Sequence, residues 1–240
     1  LMITLVNMKT GATTFSNAGD SLVHIYDSVE RKTWTKELAR KPAAGVFDND
    51  MVEMSGGFVK EPHKLKKGDA ILLYTDGIEE AMRSFRNENF EIVTCQEPDL
   101  KENEEHGGSH LKGAAQEELT NARIYDIADA VFARGSYRLH KYHNPVGDDE
   151  DLDFDFSSCE GTIEDVVLAL VSVEKVFRIY PHPSAGERDI IEVDKEIDTF
   201  LKEHFLQYDA YFSRHVEEAD TDQYIAFSHL REDEQFDDLT

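Results

Sequence analysis

The chain has 240 residues, 40% hydrophobic and 31% charged, and its 25 basic and 50 acidic side chains give a net charge of −25. A surface this negative repels phosphate backbones and anionic lipid head groups, which excludes nonspecific nucleic-acid binding and direct membrane contact. The hydrophobic fraction is too large for a disordered acidic chain, and no apolar run reaches the ~20 residues of a membrane helix. The length suits one domain, or one domain with a large insertion.

Cysteine usage and the N-terminal sequence predict where the protein resides, and the two chain ends predict that it is part of a longer protein. Cys95 and Cys159 give neither a disulfide framework nor a paired zinc motif, and the N-terminus has no signal-peptide pattern. These features predict a cytoplasmic protein. Apolar, β-like patterns are interrupted at Leu1 and at Thr240. We therefore expect a fragment of a longer protein that is incomplete at both ends and could carry a membrane anchor upstream.

In chain order, the first 75 residues predict antiparallel sheet, because short β-rich runs at 1–8, 12–16 and 22–26 alternate with turn signals. Ala70 to Tyr74 is apolar on both faces, which predicts a central, buried strand. Ile78 to Phe85 is expected to begin a helix.

The second half predicts an exposed irregular loop over residues 95–118 and helices over 122–133, 162–178 and 194–216. Leu152, Phe154 and Phe156 alternate with three aspartates, a pattern typical of a strand with one solvated face. Residues 1–90 carry a net charge of −1 and residues 91–240 a net charge of −24. The break near residue 91 is therefore the clearest compositional boundary in the chain.

Most clusters of polar side chains favour a structural interpretation. Asp151, Asp153 and Asp155 resemble the start of a calcium loop, but the Gly and Glu that this loop requires are absent, so a solvated strand face is preferred. His140 and His143 lie in a segment that is not helical and has no further ligand at useful spacing, which favours surface histidines. Neither cysteine has a local base that would mark it as a nucleophile.

Asp76 and Asp237 are the more informative carboxylates. Asp76 follows the predicted buried strand, where a carboxylate is costly unless it is hydrogen-bonded or bound to a cation. Asp237 adjoins Asp238, and two adjacent carboxylates repel each other unless positive charge lies near them. These residue types alone leave two interpretations open, structural turns and shared binding of a hard metal ion.

Three segments in this order resemble the SpoIIE-type phosphatases, the bacterial branch of the metal-dependent (PPM) serine/threonine phosphatases. Asn17-Ala18-Gly19 matches the family's NAGH turn, and the chain closes on Asp237-Asp238-Leu239-Thr240, a DD-[ILM]-T motif. Between them, residues 65–81 read LKKGDAILLYTDGIEEA and match the family's strand-turn-helix motif almost throughout.

The resemblance implies an α+β fold of two packed antiparallel sheets flanked by helices, in one domain that spans 1–240. Because the family usually has a shorter helical stretch before its last motif, it also implies that 91–231 holds a large acidic, largely helical insertion. It implies that Asp76 and Asp237 bind Mn²⁺ or Mg²⁺, two ions in all, with Asp238 as a neighbouring carboxylate and with Asn17 and Gly19 in a turn on the substrate side. The implied reaction is hydrolysis of phosphoserine or phosphothreonine on a phosphorylated regulatory protein, by the output domain of a bacterial signalling protein. If Asp76 and Asp237 share a metal, their carboxylates should lie within roughly 4–7 Å.

The sequence departs from the family pattern at two places, and these departures keep an alternative function open. Asp20 stands where the family has histidine, and the family's first metal-binding aspartate would precede Leu1, so the fragment alone is expected to be inactive. The alternative function is that of a catalytically inactive pseudo-phosphatase acting as a protein-binding module. Retention of both Asp76 and Asp237 favours the enzyme, because a binding module needs neither.

Overall fold

The computed structural model describes residues 1–19, 22–95, 113–142, 149–181, 190–216, 222–228 and 230–232. The fold is α+β, as predicted, and neighbouring strands in its described sheets are antiparallel. The chain divides into two compact units, Leu1–Leu73 and Tyr74–Thr240. Each unit is described separately below.

The first unit is built mainly from short strands. Its described elements are β1 (Met2–Val6), β2 (Ala12–Asn17), β3 (Leu22–Asp27), β4 (Lys32–Glu37), α1 (Asn49–Met54), β5 (Glu61–Lys64) and β6 (Ala70–Leu72). The strands form two three-stranded sheets, in the orders β1-β2-β5 and β4-β3-β6. The strands predicted within the first 26 residues are therefore confirmed.

One apolar core joins the two sheets of this unit. Phe15 of β2 and Val23 and Ile25 of β3 have at most 1% of their surface exposed, and they form a cluster with Leu38. Ile71 of β6 packs against the same cluster. Because side chains from both sheets share this core, the predicted packing of two antiparallel sheets is confirmed for this unit.

The prediction that Ala70 to Tyr74 is a central buried strand is wrong. β6 ends at Leu72 and pairs only with β3, so among the described strands it lies at the edge of its sheet. Leu72 is buried, whereas Leu73 is 52% exposed. The apolar run predicted that both faces of the strand would be buried. The strand instead ends before Leu73, and the side chain of Leu73 is exposed to solvent.

A charged turn in this unit makes stability depend on pH. The hydrogen bond from Lys66 Nζ (2.9 Å), together with the backbone N–H groups of Glu30 and Val29, lowers the pKa of Asp27 from 3.8 to about 2. Because the folded-state pKa is the lower one, this stabilisation is complete above about pH 3.8 and disappears as the pH falls through about 2. We expect the free energy of unfolding to fall less between pH 4 and pH 2 in Asp27→Asn than in the wild type, measured by urea denaturation. Equal pH dependence in the two proteins would contradict this.

The second unit mixes helices with small sheets. Its described helices are α2 (Asp76–Glu79), α3 (Thr120–Ala133), α4 (Ile163–Arg178), α5 (Lys195–His204) and α6 (Tyr208–Tyr211). Its described strands are β7 (Met82–Ser84), β8 (Gln116–Glu118), β9 (Ser136–Lys141), β10 (Glu150–Asp155), β11 (Ile179–Pro181), β12 (Ile191–Asp194), β13 (His215–Val216), β14 (Tyr224–Phe227) and β15 (Leu230–Glu232). They pair as β7-β8, β9-β10, β11-β15 and β12-β14-β13.

Helices α3 and α4 pack against each other and form much of this unit's core. The apolar face predicted for α3 is fully buried, at Ile124, Ile127, Ala128 and Val131. Both helices are confirmed, because apolar side chains at a 3.6-residue period come to lie on one face. None of the described helices combines the length and the apolar character that a membrane span requires.

The alternating segment at 151–155 is confirmed as a strand with one solvated face. Leu152 is fully buried in β10, while the aspartates on the other face pair across the hairpin with β9. Arg138 Nε donates to Asp153 Oδ1 at 2.7 Å, and His140 Nδ1 lies 2.7 Å from Asp151 Oδ1. These carboxylates form cross-strand ion pairs, as expected of a strand face and not of a calcium loop.

Of two predictions between residues 78 and 118, the first is wrong and the second is wrong at 116–118. The helix expected over Ile78 to Phe85 ends at Glu79, and the chain continues as β7, which pairs with β8. β8 itself lies in the segment 95–118 that was expected to be exposed and irregular, and Glu117 is only 3% exposed. Residues 96–112 lie outside the described residues. Local polarity predicted solvent exposure, but Glu117 is buried because it neutralises two buried arginines.

The helix predicted over 194–216 is correct only in its first half. Asp194 caps α5, since its carboxylate accepts a hydrogen bond from the Glu196 N–H at 2.8 Å. The helix ends at His204, and Phe205 stacks against Phe154 of β10 with ring centroids 4.9 Å apart. The apolar spacing continues, but the chain leaves the helix so that Phe205 enters this aromatic contact.

The N-terminus of α4 supports a quantitative prediction. Thr162 Oγ1 accepts a hydrogen bond from the Asp165 N–H, and the Asp165 side chain accepts one from the Thr162 N–H, which completes a capping box. We expect Thr162→Ala to lower the free energy of unfolding by about 1 kcal/mol in urea denaturation. Thr199→Ala, in the middle of α5, is the control and should be neutral or slightly stabilising because alanine favours helix interiors. Equal losses in the two variants would contradict the capping role.

Candidate functional site

The strand-turn-helix segment around Asp76 is the best-defined part of the candidate site. Asp76 is the first residue of α2, and its side chain is exposed, while Gly77 and Ile78 behind it are buried. An exposed carboxylate in the first turn of a helix is solvated by water and favoured by the helix dipole. The expectation that Asp76 is costly without a cation therefore does not hold, although the carboxylate is accessible to one.

The beginning of α3 contacts this segment on both sides of α2. The Tyr74 hydroxyl donates to Asn121 Oδ1 at 2.5 Å, and the Leu119 N–H donates to the Ala81 carbonyl at 2.9 Å. Thr120, which lies between Leu119 and Asn121, has a φ of +66°. Sequence reasoning missed these contacts, because nothing in the local pattern around residue 120 indicates them.

An open cleft of about 320 Å³ lies beside α2 and the start of α3. Its lining residues are Glu79, Glu80, Glu118, Thr120, Asn121 and Ala122. Three of these are carboxylates and none is basic, so by charge the cleft favours a cation over a phosphate group.

The turn at Asn17–Gly19 belongs to the first unit. Asn17 is 2% exposed, and its Nδ2 donates to the Ala39 carbonyl at 3.2 Å. Gly19 is exposed, donates its N–H to the Lys41 carbonyl at 3.3 Å, and has a φ of +108°, which favours glycine. Asn17 thus fixes the turn internally, and the role of the turn on the substrate side stays a prediction. Asp20 lies outside the described residues.

The second half of the expected metal site consists of Asp237 and its neighbour Asp238. Asp237 and Asp238 lie outside the described residues, so the predicted approach of Asp237 to Asp76 stays a prediction. Within the described ranges, no three His, Cys, Asp or Glu side chains come together in a group that could hold a metal ion. The carboxylate chemistry of Asp76 suits Mn²⁺ or Mg²⁺, which prefer oxygen ligands. The described part of the chain therefore supplies one of the two predicted ligands, not a complete centre.

A buried cysteine–histidine pair was not foreseen from the sequence. Cys159 Sγ lies 3.6 Å from His204 Nε2, and His204 Nδ1 lies 2.9 Å from the Asp155 carbonyl oxygen. Burial raises the pKa of the Cys159 thiol to about 11, assisted by the negative charges of Asp165 and Glu203. A protonated, buried thiol is a poor nucleophile, which agrees with the sequence interpretation of this cysteine.

A buried ion network lies behind α2 and was also missed. Glu117 of β8 accepts hydrogen bonds from Arg83 of β7 at 3.1 Å and from Arg123 of α3 at 2.9 Å. All three side chains are at most 3% exposed. Burial is the largest influence on the pKa of Arg123 and acts to lower it. The charge of Glu117 and its hydrogen bond, together with Tyr137 and Tyr142, outweigh burial, so that pKa lies above its ordinary value. The network ties β7, β8 and α3 together.

Comparison with known proteins adds one finding. A family model described as Stage II sporulation protein E (SpoIIE) matches residues 1–129. No curated protein and no solved structure matches the chain. The matched range includes Asn17, Gly19, Asp76 and Asn121, and it ends well before Asp237.

Proposed function

The chain belongs to the SpoIIE family, a family of PPM phosphatases, and from this we propose that it hydrolyses phosphoserine or phosphothreonine on a regulatory protein. The observation that carries the proposal is the family match, within which the strand-turn-helix motif presents Asp76 as an exposed carboxylate at the start of α2. In this proposal the chain acts in the cytoplasm as the output domain of a signalling protein.

The proposed reaction depends on Mn²⁺ or Mg²⁺. Asp76 and Asp237 would hold the ions through carboxylate oxygens, with Asp238 beside them. When bound, a pair of such ions supplies an activated water and positive charge for the phosphoryl oxygens. No described side chain needs to act as a nucleophile, in keeping with the protonated thiol of Cys159.

The chain's own residues have distinct tasks in this proposal. Asp76 supplies negative charge on a turn whose neighbours Gly77 and Ile78 are buried, so the carboxylate projects from an anchored segment. Gly19, the exposed residue of the Asn17–Gly19 turn, would approach the phosphorylated partner, while Asn17 holds that turn through the Ala39 carbonyl. The net charge of −25 disfavours nucleic acid as a partner.

The test is phosphate release by the full-length protein, which is also used in the metal-binding and activity experiments below. The substrates are phosphoserine and phosphothreonine proteins or peptides, assayed with Mn²⁺, with Mg²⁺ and with EDTA. We expect release with either metal ion and none with EDTA. Absence of hydrolysis under every condition, together with retained binding of a phosphorylated protein, would instead support the pseudo-phosphatase alternative. Hydrolysis that persists in EDTA would contradict the metal requirement.

A further inference from the structure

Helix α2, which carries Asp76, is too short to determine its own conformation. It has four residues, and its N-cap residue Thr75 makes no side-chain capping hydrogen bond. Isolated helices shorter than ~12–15 residues are marginal in water. The position of the Asp76 carboxylate is therefore set by contacts between α2 and the rest of its unit.

Two hydrogen bonds to the beginning of α3 bracket α2. The Tyr74 hydroxyl, two residues before Asp76, donates to Asn121 Oδ1 at 2.5 Å. The Ala81 carbonyl, just beyond α2, accepts from the Leu119 N–H at 2.9 Å, and both of these residues are buried. The segment from 74 to 81 is thus held at both ends by a single stretch of three residues.

The backbone within that stretch is strained. Thr120 has a φ of +66°, and a β-branched residue in the left-handed region is a true outlier. Such a conformation persists only where the surrounding structure over-determines it. Here the residues on either side of Thr120 make the two contacts to the α2 segment, so the strained residue lies where the two segments are joined.

We infer that Asn121, acting through the Tyr74 hydroxyl, is a positioning residue that holds the Asp76 turn in the conformation that binds a divalent cation. This inference rests on the proposed function. Of the two contacts, the Tyr74–Asn121 hydrogen bond is the one made by side chains, so it is the one that substitution can remove without altering the backbone.

The experiment compares Tyr74→Phe, Asn121→Ala and the double variant with the wild type. Loss of a partner that orients a metal ligand typically costs 10–100-fold in affinity, so we expect each single variant to bind Mn²⁺ about 10-fold more weakly in calorimetric titration. The double variant should lose no more Mn²⁺ affinity than either single variant, because all three variants lack the same hydrogen bond. Hydrogen exchange at the Gly77 and Ile78 amides should become faster in each variant.

Tyr211→Phe is the matched control. It removes a tyrosine hydroxyl that donates to Glu150 Oε2 at 2.5 Å, in the same unit but between other elements, α6 and β10. We expect Mn²⁺ affinity and amide exchange at residues 77 and 78 to match the wild type. If Tyr211→Phe weakens Mn²⁺ binding as much as Tyr74→Phe does, the effect is general destabilisation and the inference is overturned.

Asp76→Asn in the same titration separates this inference from the proposed function. If Asp76→Asn loses Mn²⁺ binding while Tyr74→Phe and Asn121→Ala retain wild-type affinity, the positioning role fails and the proposed function stands. If Asp76→Asn binds Mn²⁺ like the wild type, the ligand assignment fails and the inference fails with it. Unchanged amide exchange in Tyr74→Phe also overturns the inference, whatever the metal affinity.

Discussion

Asp76→Asn in the full-length protein is expected to lower the rate of metal-dependent phosphate release by about 100-fold or more. Loss of a group that only orients a metal ligand already costs about 10–100-fold, and Asp76 is proposed as a ligand itself. Asparagine keeps the shape of the side chain but gives up the charge that holds a dication. Because Asp76 is exposed, we expect the free energy of unfolding to change by less than about 1 kcal/mol, the scale of a charge at a helix N-terminus. Phosphate release and urea denaturation of the same preparations measure both quantities.

Asp50→Asn is a matched control for this variant. Asp50 is an exposed aspartate in the first turn of the short helix α1, so the substitution removes the same charge from the first turn of a comparable helix. We expect wild-type phosphate release from Asp50→Asn. Full activity in Asp76→Asn would refute the assignment of Asp76 as a metal ligand, and an equal loss in both variants would trace the effect to helix ends or net charge.

Glu117→Gln is expected to cause a large loss of stability, about 3–5 kcal/mol. The substitution keeps the side-chain shape but removes the charge that balances Arg83 and Arg123, and both guanidinium groups are at most 3% exposed. Breaking a buried ion pair from one side leaves uncompensated buried charge, here on two arginines. Urea denaturation followed by circular dichroism measures the loss.

Asp153→Asn provides the comparison at the surface. Its ion pair with Arg138 has a similar length, 2.7 Å, but the arginine side chain is 63% exposed. Exposed pairs are typically worth at most about 1 kcal/mol, so this variant should remain close to the wild type. If Glu117→Gln lowers the free energy of unfolding no more than Asp153→Asn does, water must reach the two arginines, and the network is not buried as described.

Periodic patterns in the sequence predicted the regular elements correctly wherever burial follows the period. Ile124, Ile127 and Val131 lie on one buried face of α3, and Leu152 and Phe154 lie on the buried face of β10. In both cases the buried side chains are near neighbours in sequence, so the short stretches 124–131 and 152–154 are enough to predict the element. The same reasoning failed for Glu117, whose burial depends on arginines 34 and 6 positions away.

The sequence by itself determined the fold class and the family, because the motif around Asp76 is contiguous and its strand and turn are local structures. The role of Asp76 as a metal ligand stays a prediction. Only the tertiary structure decided that β6 lies at the edge of its sheet among the described strands, that α2 ends after four residues, and that Asn121 reaches Tyr74. The last contact joins side chains 47 positions apart. No local pattern indicates that these two residues form a pair, since tyrosine and asparagine occur at many surface positions. The hydrogen bond exists only because packing brings the start of α3 to the segment that carries Asp76.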